Sequence, residues 1–304
     1  MDTLAVIRRL AAEQGALVAA HTYQAPEIQD AADIVGDSYA LAKRAAETDA
    51  AVVYMCGVRF MAEGVKILAP DKRVVLVEPE ADCPMARQID PARVAEFRAA
   101  HPEYAVVAYI NTTAELKAVS DVCVTSSSAL KIVRSLPQKD ILFIPDKNLG
   151  DYVRRQVPEK HIVTWDGYCP VHNAVTAADV LAAKALHPEA KVAMHPECPP
   201  EALELADMAG STAAIIDYIR EGGSGGEKVI VATERGVVDR LDARYPGRLH
   251  QLCEDKLVCP DMKRTTLQSL LAAMESRDGE EIRLEEKLAD AARRSLENML
   301  RYGG

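Results

Sequence analysis

Short apolar runs rich in β-branched residues recur along this chain, at residues 17–20, 51–55, 74–77 and 105–110. Between them lie amphipathic stretches such as 39–47, whose apolar positions return at helical spacing. Strands alternating with helices imply parallel βαβ units. Comparing the strand ends at long range adds a repeat. His21, Tyr109 and His195 each follow an apolar run, 88 and 86 residues apart. Ser38, Ser126 and Ser211 each open a helical pattern, 88 and 85 apart. Gly57, Asp146 and Glu234 follow further strands, 89 and 88 apart. Cys83, Cys169 and Cys259, each directly followed by proline, stand 86 and 90 apart.

Four landmarks in one order at nearly one period are hard to produce by chance. The predicted fold is α/β: three pseudo-symmetric βαβ domains, each a three-layer α/β/α unit on a parallel sheet, around a central cavity. The expected units are residues 1–86, 87–172 and 173–262. They are followed by a charged, helical tail over 263–304, broken near 277–280. Ligand groups in open parallel sheets sit beyond the carboxyl ends of the strands, where all four landmarks fall.

Composition narrows the function classes. The 304 residues suffice for a sizeable core. A net charge of −10 without a long basic run disfavours a nucleic-acid partner. No run approaches a membrane span, and the first residues lack a signal peptide's apolar stretch, so the expected location is cytoplasmic. Seven cysteines, an odd number in a reducing compartment, point to metal binding or catalysis before disulfides.

Three equivalent cysteines around an axis would offer three thiolates to one object. A cubane 4Fe-4S cluster normally takes four, so three leave one iron open to act as a Lewis acid. Cys56 and Cys123 lie in apolar runs and read as buried hydrophobes. Cys253 is the rival third ligand, lacking the proline, and Cys198 lies outside the register. Zinc is the alternative metal, although the short C-x-x-C pairs usual for it are absent. Ser38, Ser126, Ser211 and Thr212 lie at predicted helix starts, where they serve either as caps or as anion-binding groups. His21, Tyr23, Tyr109, Asn111, His195 and Glu197 supply acids, bases and donors for proton transfer. His101, His161, His187 and His250 read as surface or loop residues. G-G-S-G-G at 222–226 follows a helical stretch and reads as a flexible loop, not a dinucleotide fingerprint.

The ordered motifs H-T-Y-Q (21–24), G-D-S (36–38), F-M-A-E (60–63), C-P-M-A (83–86), Y-I-N-T (109–112), P-D-K-N-L-G (145–150), C-P-V-H (169–172), H-P-E-C (195–198), G-S-T (210–212), T-E (233–234) and C-P-D-M-K (259–263) resemble the quinolinate synthase family. The resemblance runs from about residue 17 to 268. It implies condensation of iminoaspartate with dihydroxyacetone phosphate, with loss of phosphate and water, to give quinolinate for NAD biosynthesis. It also implies a 4Fe-4S cluster on Cys83, Cys169 and Cys259, and catalytic roles for Tyr23, Tyr109 and Glu197. His21, Ser38, Asn111, Ser126, His195, Ser211 and Thr212 resemble the family's substrate-binding positions. An L-aspartate oxidase or dehydrogenase is the implied source of the imine. Two departures stand out: Thr22 follows His21 where asparagine is expected, and T-T-A-E-L-K follows Asn111 where a cysteine often precedes the lysine. Rival readings are a cluster-based hydratase for another hydroxy acid and a non-catalytic cluster- or zinc-binding regulator.

Overall fold

The computed structural model describes residues 2–222 and 226–303, so most of the 222–226 loop lies outside the described residues. The first repeat contributes strands β1 (Ala16–His21), β2 (Ile34–Gly36), β3 (Val52–Cys56) and β4 (Arg73–Leu76). The second contributes β5 (Ala105–Tyr109), β6 (Val122–Val124), β7 (Asp140–Ile144) and β8 (His161–Thr164). The third contributes β9 (Lys191–Met194), β10 (Met208–Ala209), β11 (Val229–Ala232) and β12 (Leu249–Gln251). The three sheets have one topology, β2-β1-β3-β4, β6-β5-β7-β8 and β10-β9-β11-β12, and every pairing among these strands is parallel. The α/β class and the triplicated parallel sheets are therefore as the hydrophobic pattern predicts.

Strand alternation accounts for the layers. In β1, Val18 and Ala20 face a cluster with Ile7, Ile28 and Leu270, while Ala19 faces Val53, Met55 and Leu76 in the central core. In the third sheet, Val192 and Met194 pack with Val180 and Leu257 on one side. Ala193 meets Ile215, Ile219 and Leu241 on the other. Burial on both faces is the condition under which parallel strands become apolar throughout.

Each repeat opens on a helix, Thr3–Gln14, Pro91–Ala100 and Ala177–Leu186, capped by Asp2, Asp90 and Thr176. The helices that open at Pro91 and Ala177 start eight residues after Cys83 and Cys169, and a further helix, Leu267–Met274, starts eight residues after Cys259. Its Leu270, Ala273 and Met274 join the cluster that holds Ile7 and Ala11 of the first helix.

The tail is thus built into the molecule. After a break, where Gly279 takes φ +86°, strand β13 (Glu280–Glu281) pairs antiparallel with β4. Glu280 accepts both Arg59 guanidinium nitrogens, at 2.8 and 2.6 Å. Helix Glu286–Gly303 then buries Ala292, Leu296 and Met299 in the core shared by the first two repeats. Cys56 and Cys123 are fully buried, as their apolar runs suggest.

Leu296 has no exposed surface, whereas Leu186 is 77% exposed. Leu296→Ala is expected to destabilise the fold by about 2–5 kcal/mol in urea denaturation. Leu186→Ala should fall within about 0.5 kcal/mol of the parent chain. Equal effects would contradict the placement of the tail helix in the core.

Candidate active site

Strand register determines which side chains meet. His21 pairs with Gly36, Tyr109 with Val124 and Met194 with Ala209, so His195 and Gly210 continue the third pairing. His21, Tyr109 and His195 are therefore equivalent strand ends. Two residues on, Tyr23, Asn111 and Glu197 form a second ring. Two residues beyond Gly36, Val124 and Gly210 stand Ser38, Ser126 and Thr212. These nine side chains line a single small cavity of about 50 Å³ with Met61 and Met262.

Ser211 is the one expected binding residue outside that lining. Its hydroxyl accepts the Ala214 N–H at 3.2 Å and caps helix Thr212–Glu221. Asp37 does the same work for helix Ser38–Glu47, accepting from Ala40 N at 2.9 Å. The third-repeat counterpart of Ser38 is thus Thr212. A similar one-residue shift affects the acids. Ala20, Ala108 and Met194 pair with Cys56, Ile144 and Ala232, which aligns Asp146 and Glu234 with Val58 and not with Gly57.

Those two acids are fully buried and hold the cysteine loops. Asp146 Oδ2 accepts the Cys169 N–H at 2.9 Å, and Glu234 Oε1 accepts the Cys259 N–H at 3.2 Å. In the first repeat the neighbouring Asp82 accepts the Cys83 N–H at 2.8 Å. Burial raises the Asp146 and Glu234 carboxyls, and the Glu197 charge adds to the rise at Asp146, against the pull of these N–H donors. Cys83, Cys169 and Cys259 all pack against the central core. They are close enough for the Cys83 thiol to interact electrostatically with Cys259 and the Cys169 thiol with Cys83. Burial pushes Cys83 up to about 12 and Cys259 to about 11, with Cys169 also well above an ordinary thiol. A soft metal centre reverses that, because a coordinating thiol is deprotonated outright. Three partly exposed thiols on three anchored loops fit a cluster that takes one ligand from each. Cys253 lies elsewhere, with Cys198 against the outer core of the third repeat.

Three residues outside the sequence expectations complete the site. His172 is 2% exposed, with Nδ1 2.8 Å from Glu197 Oε2 and 3.3 Å from Cys169 Sγ. Its Nε2 lies 3.1 Å from Thr233 Oγ1, and that hydroxyl is 3.0 Å from the Tyr23 phenol. Lys263 pairs with Glu234 at 3.0 Å. His172 and Lys263 stood within the C-P-V-H and C-P-D-M-K motifs, and Thr233 within T-E; none recurs at the repeat period, which is the signal that singled out the others. Cys169, His172 and Glu197 bring three donors within 4.8 Å of one another, a group that could also hold a metal ion.

Charge is distributed unevenly over these rings. Burial lifts the Glu197 carboxyl, but the imidazoles of His172 and His195 outweigh it and hold the group below the usual carboxylate range. Among the described residues its Oε1 is buried without a hydrogen-bond partner, leaving a free acceptor. Burial, and then the Glu197 charge, push the phenols of Tyr23 and Tyr109 well above their ordinary value, so both remain proton donors. His21 Nδ1 accepts the Tyr23 N–H at 3.1 Å, which puts the ring proton on Nε2.

A model of the quinolinate synthetase A protein family matches residues 5–301. The chain is similar to the quinolinate synthase of Caldicellulosiruptor saccharolyticus, 45% identical over 294 residues, covering 97% of this chain and 96% of the relative. It is 43% identical to the quinolinate synthase of Aquifex aeolicus over 299 residues, covering 97% and 92%. A third relative, the quinolinate synthase of Methanoregula boonei, is 43% identical over 304 residues, covering 99% of both chains.

Burial and the nearby Lys263 charge lower His21 from 6.5 to about 3. The unfolded imidazole takes up a proton that the folded one refuses. The contribution of His21 to stability is therefore whole above pH 6.5 and is lost progressively as pH falls toward 3. Ring ¹⁵N resonances should show His21 neutral at pH 5, and a midpoint near 6.5 would contradict its placement.

Proposed function

The chain belongs to the quinolinate synthetase A protein family, and from that premise we propose that it condenses iminoaspartate with dihydroxyacetone phosphate. The product is quinolinate, formed with loss of phosphate and water, for NAD biosynthesis. We propose further that Cys83, Cys169 and Cys259 hold a 4Fe-4S cluster. The observation that carries this reading is convergence: three repeats bring nine polar side chains to one cavity, and one thiol from each repeat to the same core. Among the described residues no helix is long and apolar enough to cross a membrane.

When bound, the cluster would supply Lewis acidity to a leaving hydroxyl through the iron that no cysteine occupies. The protein's own groups account for the remaining chemistry. Hydroxyls of Ser38, Ser126 and Thr212 face the cavity from helix-leading turns, where free backbone N–H groups favour carboxylate and phosphate. Glu197, held ionised with one oxygen unpartnered, is suited to accept a proton from a reactant carbon or nitrogen. Tyr23 and Tyr109, held protonated by burial, are suited to donate one to a departing or developing oxygen anion. Neutral His21 donates from Nε2, and Asn111 offers an amide that can both donate and accept. Exclusion of water from this small cavity would strengthen each of these interactions. An oxidase or dehydrogenase acting on L-aspartate would supply the imine.

The test is anaerobic reconstitution with iron and sulfide, followed by metal counting and product analysis. The parent protein should bind a cluster and form quinolinate. Cys83→Ala should lose both, and Cys253→Ala should keep both. Tyr23→Phe should retain the cluster while kcat falls by about 10²-fold or more. Full activity in Cys83→Ala, or in colourless protein free of sulfide, would overturn the reading.

A further inference from the structure

Thr22 is set between two residues of the central cavity, yet it lines a different one. His21 and Tyr23 face the centre, whereas Thr22 borders a second cavity of about 630 Å³ beside it. Asp37 and Thr212 border both, and the rest of the lining comes from residues 22–40 and 212–244, so the second cavity lies along the seam between the first and third repeats. One wall is apolar. Val35 of strand β2, which keeps 40% of its surface exposed, stands in the lining with Ile216 of helix Thr212–Glu221 and with Val237 and Leu241 of helix Gly236–Asp242. Val237 and Leu241 are buried members of the third repeat's core, so packing fixes that wall. The polar side of the cavity is cationic. Arg220 pairs with Asp217 at 3.3 Å and Arg240 pairs with Asp30, but Arg244 has no ion pair and no side-chain hydrogen bond among the described residues. Thr22 Oγ1 is buried, and it too has no hydrogen-bond partner among the described residues.

We infer that this seam cavity is a second small-molecule site, separate from the central one, and that it takes an organic anion with a flat apolar body. Its volume is that of a ligand pocket, and apolar walls with a few placed polar groups are the usual make-up of one. The unpaired Arg244 guanidinium offers a carboxylate or phosphate two parallel N–H donors. Val35, Ile216, Val237 and Leu241 take the body of the ligand out of water. Thr22 adds a hydroxyl whose lack of a partner a polar substituent would repair. A neutral apolar molecule would leave Arg244 unused, and a cation would meet three guanidiniums. Binding here is read without turnover, so it stands or falls independently of the reaction proposed above.

The probe is 2-naphthoate, a flat monoanion, titrated calorimetrically into anaerobically reconstituted protein. The parent should show saturable binding with a Kd of about 1 mM or tighter. Arg244→Glu, a change at an exposed position, should weaken it about tenfold or more. Ser126→Ala alters the central cavity and not the seam, so its affinity should stay within about twofold of the parent. Methyl resonances of Val35, Val237 and Leu241 should shift along the same isotherm, while those of Leu186, exposed elsewhere on the third repeat, stay in place. Titration without saturation overturns the inference, as does parent-level affinity in Arg244→Glu. A loss in Ser126→Ala as large as that in Arg244→Glu also overturns it, since the probe would then occupy the central cavity. Should Arg244→Glu not fold, the methyl resonances of the parent decide. Shifts at Val35, Val237 and Leu241 support the site, and shifts confined to Leu186, or to Met61 and Met262 of the central cavity, overturn it.

Discussion

Asp146 and Glu234 carry carboxyl groups to positions without exposed surface, and what they find there holds the centre of the molecule in place. Asp146 accepts from the backbone of Leu149 at 2.7 Å, the start of its own helix, and from Cys169. Glu234 accepts from Gly236 at 2.7 Å and from Cys259, with Lys263 as counter-ion. A buried carboxyl stripped of such partners costs several kcal/mol, so neither cysteine loop can drift without exposing that cost. Each acid therefore couples a helix start to a cysteine one strand further on. The first repeat reaches the same end differently: the Val58 side chain cannot accept a hydrogen bond, and Asp82 with the Arg59 N–H to Ala81 carbonyl bond of 3.0 Å shapes the Cys83 loop.

On that frame, one backbone geometry is used three times with different side chains. The strand-end ring holds His21, Tyr109 and His195, and the next ring holds Tyr23, Asn111 and Glu197. The strand register is common to the three repeats, so these positions differ chiefly in side-chain chemistry. Glu197 is held ionised because His172 and His195 flank it, whereas Tyr23 and Tyr109 are held protonated first by burial and then by the charge of Glu197 itself. One buried carboxylate thus reinforces the donor state that burial gives to groups contributed by the other two repeats.

The sequence made the rings legible because their members recur. Apolar strands and the 86- to 88-residue period placed His21, Tyr109 and His195 without reference to any contact. The period was less reliable by one residue at the helix starts. Ser211 and Thr212 are adjacent hydroxyls, and residue type alone does not separate the one that caps a helix from the one that faces the cavity. Gly57 was aligned where Val58 belongs for a related reason: the first repeat has no acid there to mark the position. Thr233 and His172 were missed because repeat comparison finds only what repeats. They form a hydrogen-bond chain between repeats, which no linear spacing encodes.

The way the repeats are joined gives that chain its weight. A continuous apolar core runs through the first two repeats, and helix Glu286–Gly303 seals it with Leu296 and Met299. The third repeat keeps two cores of its own, on either face of its sheet. Its attachment at the centre is largely polar: Tyr23 to Thr212 and Thr233, Lys263 to the Tyr23 carbonyl, His172 to Glu197, and Asn148 Nδ2 to the Glu197 carbonyl at 2.9 Å. Apolar burial is non-directional and tolerates small slips, whereas these hydrogen bonds are lost within a fraction of an ångström. The groups that would bind and protonate the reactants are therefore also those that dock the third repeat against the other two.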